Sequence, residues 1–159
     1  MTGAGEVIAS LVIGSNAATT LAGSSKGLRT EEDRERFLAL RNSDRFGAIL
    51  VGSVSAAVEP YQKTPHPLFI YKRTSGVSPA AFVDEVRRKI SGAILCEGGV
   101  TFIHQLLHDD ALDHFHLTHA PIAGDGHFLD LALLTRKMSL ISREVVGQTT
   151  FEKYERASR

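Results

Sequence analysis

Short apolar runs that end at glycine predict the central strands of a buried sheet. Val7–Ile13 and residues 48–51 are rich in β-branched side chains, and they stop at Gly14 and Gly52. Runs of this length and composition are typical of strands that are covered on both faces. Further strands are predicted at Leu68–Tyr71, at Ala93–Cys96 and around Phe115, Leu117 and Ile122.

Helical spacing is found between some of these runs. Thr30 is followed by three acidic residues, which favours an N-cap and a first helical turn. The pattern predicts a helix over residues 30–41. Its core-facing residues are expected to be Phe37, Leu38 and Leu40. The small, polar stretch 14–27 that precedes this helix is predicted to be a loop.

Two more helices are predicted in the middle of the chain. Ser78-Pro79 places a hydroxyl cap and a proline at a helix start. The apolar residues expected to face inward from this helix are Phe82, Val83, Val86 and Ile90. Val100–His108 is predicted to be a helix that begins directly after Glu97-Gly98-Gly99.

The C-terminal region has the pattern of a β-hairpin. Met138–Val146 and residues 149–154 are predicted to be antiparallel strands joined by Gly147-Gln148. Strands linked through helices, followed by a hairpin, predict an α/β fold with a mixed, mostly parallel sheet flanked by helices on both faces. Residues 1–159 are expected to form one domain, because 43% hydrophobic content suffices for one core and no linker or repeat is present.

Composition narrows the class of ligand. Eighteen basic residues balance eighteen acidic ones, so no nucleic-acid or anionic membrane surface is predicted and a small-molecule ligand is expected. No apolar run approaches the roughly 18 residues of a membrane span, and no basic leader precedes Val7, so we expect a cytoplasmic protein. The single cysteine, Cys96, cannot form an internal disulfide and is expected to be a small buried residue.

The segment around Glu97 combines a strand, a glycine turn and a helix. This order brings backbone N–H groups and the positive end of a helix dipole to one point, which suits a phosphate group. The spacing differs from the Gly-x-Gly-x-x-Gly of a Rossmann fold and from a P-loop. A turn that needs glycine for steric reasons alone is the alternative interpretation.

Several motifs, taken in order, resemble one known family. Residues 94–101 are Ile-Leu-Cys-Glu-Gly-Gly-Val-Thr, and Leu112-Asp113 and Ala120-Pro121 follow them. This order resembles the Glu-Gly-Gly turn, helix, Val-Asp pair and Ala-Pro strand of the reductase domain of the riboflavin-biosynthesis deaminase-reductase family. The further matches are residues 16–28 with its Asp-Gly loop, 49–59 with its Val-Gly-x-Gly-Thr segment and 151–156 with its last strand.

The resemblance implies a dihydrofolate-reductase-like fold and an NADPH-dependent reduction. The implied substrate is 5-amino-6-(5-phosphoribosylamino)uracil, whose ribosyl group becomes a ribityl chain. The implied cofactor contacts are Ser55, Glu59, Gly98, Gly99, Val100 and Thr101, and the implied substrate contacts are Ser25, Arg41 and Glu97. Asn16 and Glu97 are the candidate catalytic residues. The family's deaminase partner uses a His/Cys/Cys zinc site, which a chain with one cysteine cannot supply, so only the reductase half is expected.

Two departures from the family pattern bear on activity. Asn16 stands where the family carries Asp, and an amide cannot titrate as a carboxyl group does. Between Arg73 and Ala93 the sequence predicts one helix where the family has a further strand and helix, so the middle region is shortened. A catalytically impaired nucleotide-binding paralogue, or a dimeric scaffold without turnover, therefore stays open as a second interpretation.

The histidines and the oligomeric state complete the set of expectations. His104 and His108 have i, i+4 spacing, but Gln105 stands where a zincin would have Glu. No metal site is therefore expected, and the histidines are expected to face solvent. A homodimer is expected because the shortened layer would leave strand surface exposed. The candidate contact segment is residues 111–120, with Phe115 and Leu117 on one strand face.

Overall fold

The computed structural model describes residues 5–53 and 64–157, which form one mixed sheet with helices packed on it. The strands are β1 (Val7–Ile13), β2 (Ala18–Thr20), β3 (Phe46–Gly52), β4 (Leu68–Tyr71), β5 (Ala93–Cys96), β6 (His114–His119), β7 (Gly126–Phe128), β8 (Met138–Val146) and β9 (Thr149–Arg156). The described helices are α1 (Glu31–Arg41), α2 (Pro79–Lys89), α3 (Val100–His108) and α4 (Leu131–Lys137), and a 3₁₀ turn spans Arg73–Ser75.

The large sheet has seven described strands in the order β4-β3-β5-β1-β6-β9-β8. The first five of these strands are parallel to one another, while β9 is antiparallel to both β6 and β8. In the central register, Ile8 of β1 lies beside Leu95 on one side and His114 on the other. The predicted mostly parallel sheet with a C-terminal antiparallel hairpin is confirmed.

Side chains of β1 alternate between two apolar layers. Val7 and Ala9 belong to a buried cluster that includes residues of α2, α3 and α4. Ile8 faces the opposite side, where it packs with Ile49 of β3 and where Leu40 of α1 contacts the cluster. Because every second residue of a strand faces the same way, this alternation places helices on both faces of the sheet, as predicted.

Helix α1 has the predicted boundaries but a different buried face. The Thr30 hydroxyl accepts a hydrogen bond from the backbone N–H of Asp33 at 3.1 Å, which confirms the N-cap. Leu38 is 40% exposed, and among the residues of α1, all of them described, Asp33 alone is buried. The expected core-facing stripe is therefore wrong for Phe37 and Leu38, while Leu40 packs against a buried cluster as expected. Successive helical residues point about 100° apart, and Phe37 and Leu38 face a cavity beside the sheet.

The sequence pattern predicted neither strand β2 nor helix α4. Within the predicted loop 14–27, β2 pairs with β7, so this expectation is corrected. Helix α4 begins after Asp130, whose carboxylate accepts from the backbone N–H of Leu133 at 3.0 Å. Ile122, expected to continue the sheet, is 44% exposed and lies outside β6.

The strand histidines are partly buried rather than solvent-facing. The Nε2 atom of His114 lies 2.9 Å from a carboxylate oxygen of Glu6, and that of His119 lies 2.6 Å from one of Glu152. Burial, helped by nearby cations such as Lys153, lowers the pKa of His116 to about 4. Within residues 5–53 and 64–157, no group of three or more His, Cys, Asp or Glu side chains is placed to hold a metal ion.

Strand β6 occupies an interior position in the sheet. It pairs with β1 on one side and β9 on the other, and Phe115 and Leu117 are 0% and 1% exposed. The expectation that this segment forms a subunit contact through these two side chains is wrong, because they belong to the core.

Cys96 is buried, as expected, and burial raises the pKa of its thiol. In the part of the chain that the structure describes, each helix is too short or too polar to cross a membrane.

Candidate functional site

A cavity of about 880 Å³ opens at the carboxyl ends of β3, β4 and β5. Ligands of parallel α/β sheets bind at this edge, and the volume lies in the range of small-molecule sites. Helix α1 forms one wall, and the turn between β5 and α3 forms another.

The glycine turn is held in place by the neighbouring strand. Gly98 has a φ of +132°, a backbone conformation that side chains disfavour, and its carbonyl accepts a hydrogen bond from Gly52 N–H at 2.8 Å. A Cβ atom on Gly52 would lie 3.4 Å from the nitrogen of Gly99. The end of β3 therefore packs closely against this turn.

Helix α3 begins at the cavity with no side chain capping it. Gly99 is the N-cap residue and offers no side-chain hydrogen bond, while Gly98, Val100 and Thr101 line the cavity with it. The first N–H groups of a helix have no partner within the helix, and the dipole there attracts anions. The donors present thus fit a phosphate group of a nucleotide cofactor.

Arg41 and Glu97 form a bidentate ion pair across the cavity. The Nε and Nη2 atoms of Arg41 donate to the two carboxylate oxygens of Glu97 at 2.8 and 2.5 Å. The Glu97 side chain is 1% exposed and that of Arg41 is 15% exposed. This pair joins the end of α1 to the end of β5, so the two walls are fixed relative to each other.

The α1 wall also presents an aromatic ring between two cations. The guanidinium carbon of Arg29 lies 4.4 Å from the centroid of the Phe37 ring, and that of Arg41 lies 4.9 Å from it. On the other side of the cavity, the rings of Tyr71 and Phe102 stack at 5.0 Å. Flat apolar faces next to positive charge suit a planar ligand that carries a phosphate group.

Asp33 lies at the base of the α1 wall. It is 5% exposed and lines the cavity. Burial raises the pKa of its carboxyl group, although the Thr118 hydroxyl and the charges of Arg29 and Arg36 act in the opposite direction. The cavity therefore contains a buried carboxyl group whose pKa lies above its ordinary value.

Most of the sequence-predicted site residues lie together. The residues that line the one cavity are Ser25, Arg41, Glu97, Gly98, Gly99, Val100 and Thr101. Asn16 is exposed and is not part of this lining. Its amide nitrogen donates to the carbonyl of Gly124 at 2.9 Å, and its amide oxygen accepts from the N–H of Gly124 at 3.0 Å. Ser55 and Glu59 lie outside the described residues.

Sequence reasoning missed several residues of the α1 wall. They are Arg29, Thr30, Asp33, Arg34, Phe37 and Leu38. Most of these positions recur at spacings of three or four, the spacing of one helical face. A stripe that mixes cations with apolar residues was the available signal, and it indicates a ligand-facing surface rather than a core-facing one.

No family model matches the chain, and no curated protein matches its sequence. Solved structures do match. The bifunctional diaminohydroxyphosphoribosylaminopyrimidine deaminase/5-amino-6-(5-phosphoribosylamino)uracil reductase of Thermotoga maritima superposes with a TM-score of 0.75 and 16% identity over 96% of this chain. The chain spans 56% of the length of that protein.

Two smaller proteins match over almost their whole length. A pyrimidine reductase-like protein of Corynebacterium diphtheriae gives a TM-score of 0.71 at 17% identity, with 97% of this chain and 92% of that one covered. The dihydrofolate reductase of Enterococcus faecalis, complexed with NADP(H), gives 0.64 at 13% identity, with 97% and 98% covered. The fold that the motifs implied is thereby confirmed: the chain adopts the dihydrofolate-reductase-like fold, similar to that of pyrimidine reductases.

Proposed function

We propose that the chain is an NADPH-dependent reductase that acts on 5-amino-6-(5-phosphoribosylamino)uracil or a closely related ribosylaminopyrimidine phosphate. The observation that carries the proposal is the uncapped start of α3, which follows Gly98-Gly99 and lines the cavity. The named activity of the Thermotoga maritima protein and the cofactor named for the Enterococcus faecalis enzyme support the same assignment.

Some residues of the cavity would contact the cofactor and others would contact the substrate. The backbone N–H groups of residues 98–101 would hold cofactor phosphate, because they lie at the start of α3, which no side chain caps. Bound NADPH would supply hydride to the substrate. Ser25 and Arg41, on the loop and the helix that form the other wall, would orient the substrate. Ser55 and Glu59 remain proposed cofactor contacts on the strength of the family resemblance.

One observation favours a second candidate, a nucleotide-binding protein without turnover. Asn16, at the family's Asp position, uses both ends of its amide to bind Gly124 and lies away from the cavity lining. It therefore fixes a loop in this structure and offers no titrating group. Measuring NADPH oxidation at 340 nm with the ribosylaminopyrimidine separates the two candidates, since binding without oxidation would support the second.

Replacing Gly99 by Asp is expected to weaken NADPH binding at least about 100-fold, or about 2.7 kcal/mol. A carboxylate at the start of α3 would occupy the anion position and repel phosphate. NADPH fluorescence titration measures the change. Ala132→Asp is the matched control, because it places the same carboxylate near the start of another helix, α4, at an exposed position outside the cavity lining. Unchanged affinity in a folded Gly99→Asp protein would contradict the cofactor assignment.

We also propose a homodimer, formed through β8 rather than through β6. Strand β8 ends the described sheet, and eight of its nine residues are exposed. Its exposed apolar residues are Leu140, Ile141, Val145 and Val146. A long apolar edge strand offers unpaired backbone groups, and pairing two copies about a two-fold axis covers them.

Ile141→Lys is expected to convert the dimer to a monomer, because a charge would then lie in the shared edge. Light scattering at micromolar concentration measures the mass. Ala39→Lys, on the exposed side of α1, is the control and should leave the dimer intact. A monomeric mass for the folded, unmodified chain would exclude the dimer.

A further inference from the structure

His104 of α3 holds the start of α4. Its Nε2 atom accepts a hydrogen bond from the backbone N–H of Asp130 at 2.9 Å, and Asp130 is the N-cap residue of α4. A backbone N–H can only donate, so Nε2 must carry a lone pair in this contact. The imidazole ring is therefore neutral here, with its proton on Nδ1. His104 is half-buried, which corrects the expectation that it faces solvent.

The segment that leads into Asp130 forms part of the cavity wall. Strand β7 ends two residues before Asp130 and pairs with β2. Thr20 of β2 and His127 of β7 both line the cavity, whereas His104 does not. The hydrogen bond between Asp130 and His104 therefore connects this β2–β7 wall to the helix that begins at the glycine turn.

We propose that neutral His104 is a positioning residue for the cavity, and that its protonation releases the start of α4 and loosens the β2–β7 wall. The residue acts through Asp130 and touches neither ligand. The contact and its effect on the wall are independent of any reaction. Its effect on substrate binding rests on the function proposed above, because Thr20 and Ser25 line the same cavity.

The surroundings of His104 favour the neutral ring. Burial has the largest effect and lowers its pKa, and His108, on the same helix, lowers it further. From the start of α4, the carboxylate of Asp130 acts in the opposite direction. At the far end of α4, Lys137 binds the Asp110 carboxylate and the carbonyl of His108. The balance leaves the pKa of His104 below its ordinary value of 6.5.

This direction fixes how stability depends on pH. Because the pKa of His104 is lower in the folded chain than in the unfolded one, the unfolded chain binds more protons between the two values. The contribution of His104 to stability is therefore complete above pH 6.5 and is lost as pH falls through the folded pKa.

Protonation replaces the acceptor in this contact by a donor. Two N–H groups would then point at each other, so the contact between His104 and Asp130 must open. The Asp130 carboxylate caps α4 by accepting from the N–H of Leu133 at 3.0 Å, and it also attracts the imidazolium. The cap and the new ion pair therefore compete for one carboxylate, and the geometry at the start of α4 changes.

The first test observes the ring directly. In protein labelled with ¹⁵N in its histidines, two-bond N–H correlation spectra above pH 6.5 should show an unprotonated Nε2 and a protonated Nδ1 for the signal that His104→Gln removes. The amide resonance of Asp130 should shift with the same midpoint as the ring. A proton on Nε2, or an Asp130 amide that does not follow the ring, would overturn the proposal.

The second test follows the wall by hydrogen exchange. The N–H groups of Asp125 and Leu129 donate to carbonyls in and beside β2, so they report on the β2–β7 pair. Their protection should fall about fivefold in His104→Phe, which keeps a ring but loses the acceptor. The amide oxygen of His104→Gln accepts the bond at every pH, so this variant should stay protected as pH falls.

The matched control is His108→Gln, which removes an exposed histidine from the end of the same helix and should behave as the unmodified protein does. Equal protection in His104→Phe and the unmodified protein would exclude the positioning role. Should His104→Phe not fold, the unmodified protein below the folded pKa of His104 provides the same comparison.

Activity measurements separate this proposal from the reductase function. If the protein oxidises NADPH, its KM for the ribosylaminopyrimidine should rise about fivefold as His104 becomes protonated, with kcat unchanged, and His104→Gln should lack the rise. The same rise in His104→Gln would show that the contact does not affect binding. If NADPH is not oxidised while the ring and amide results hold, the reductase function fails and the role of His104 in the wall stands.

Discussion

Replacing Arg41 by Ala should lower the free energy of unfolding by about 3–5 kcal/mol, the usual cost of leaving a buried charge without its partner. The Glu97 side chain is 1% exposed and depends on the Arg41 fork for both of its oxygens. Urea unfolding followed by circular dichroism measures the loss. Asp84→Ala is the control, because its ion pair with Arg87 lies at the surface and contributes less than about 1 kcal/mol.

The double variant Arg41→Ala/Glu97→Gln tests the physical reason for that loss. With the carboxylate gone, no uncompensated charge remains, so the double variant should be more stable than Arg41→Ala alone. Additive losses would mean that the arginine acts through its stacking on Phe37 instead.

Gly47→Ala is the second substitution with a large expected effect, a loss of about 3 kcal/mol. A Cβ atom at this position would lie 1.9 Å from the backbone oxygen of Ser91, so the chain that leads into β5 must move. Thermal unfolding measures the change. Gly52→Ala, in the same strand, is the control, since its Cβ atom would meet its nearest neighbour at 3.4 Å. Equal stability of the two variants would show that the Ser91 segment yields without cost.

The sheet was predictable because its strands carry a local signal. Val7–Ile13, Leu68–Tyr71 and Ala93–Cys96 are predominantly apolar runs, and the structure begins and ends those strands at the same residues. Glycine and proline mark the helix starts at Pro79 and Val100 equally clearly. Strand β2, by contrast, has three residues and depends on a partner more than 100 positions away, so no local pattern reveals it.

The candidate site was predictable only in part, for a related reason. The Gly-Gly turn is a local arrangement, and its position at a helix start follows from its neighbours in sequence. The Arg41–Glu97 pair joins residues 56 positions apart, and only the family resemblance placed both on one ligand. Asp33 was interpreted as a first-turn charge that complements the helix dipole. Its burial against β6 depends on how α1 docks, which the α1 sequence does not encode.

The way α1 presents its apolar residues has a thermodynamic consequence. Phe37 and Leu38 line a cavity, whereas apolar residues of α3 such as Ile103 and Leu106 are buried in the protein core. A ligand that fills the cavity would therefore act as the missing layer beneath this helix. Since such a ligand binds the folded chain alone, it would raise the apparent stability by RT ln(1 + [L]/Kd), about 2.7 kcal/mol at one hundred times Kd. The melting temperature thus becomes a direct reporter of occupancy, and candidate ligands can be ranked by it whether or not the protein converts them.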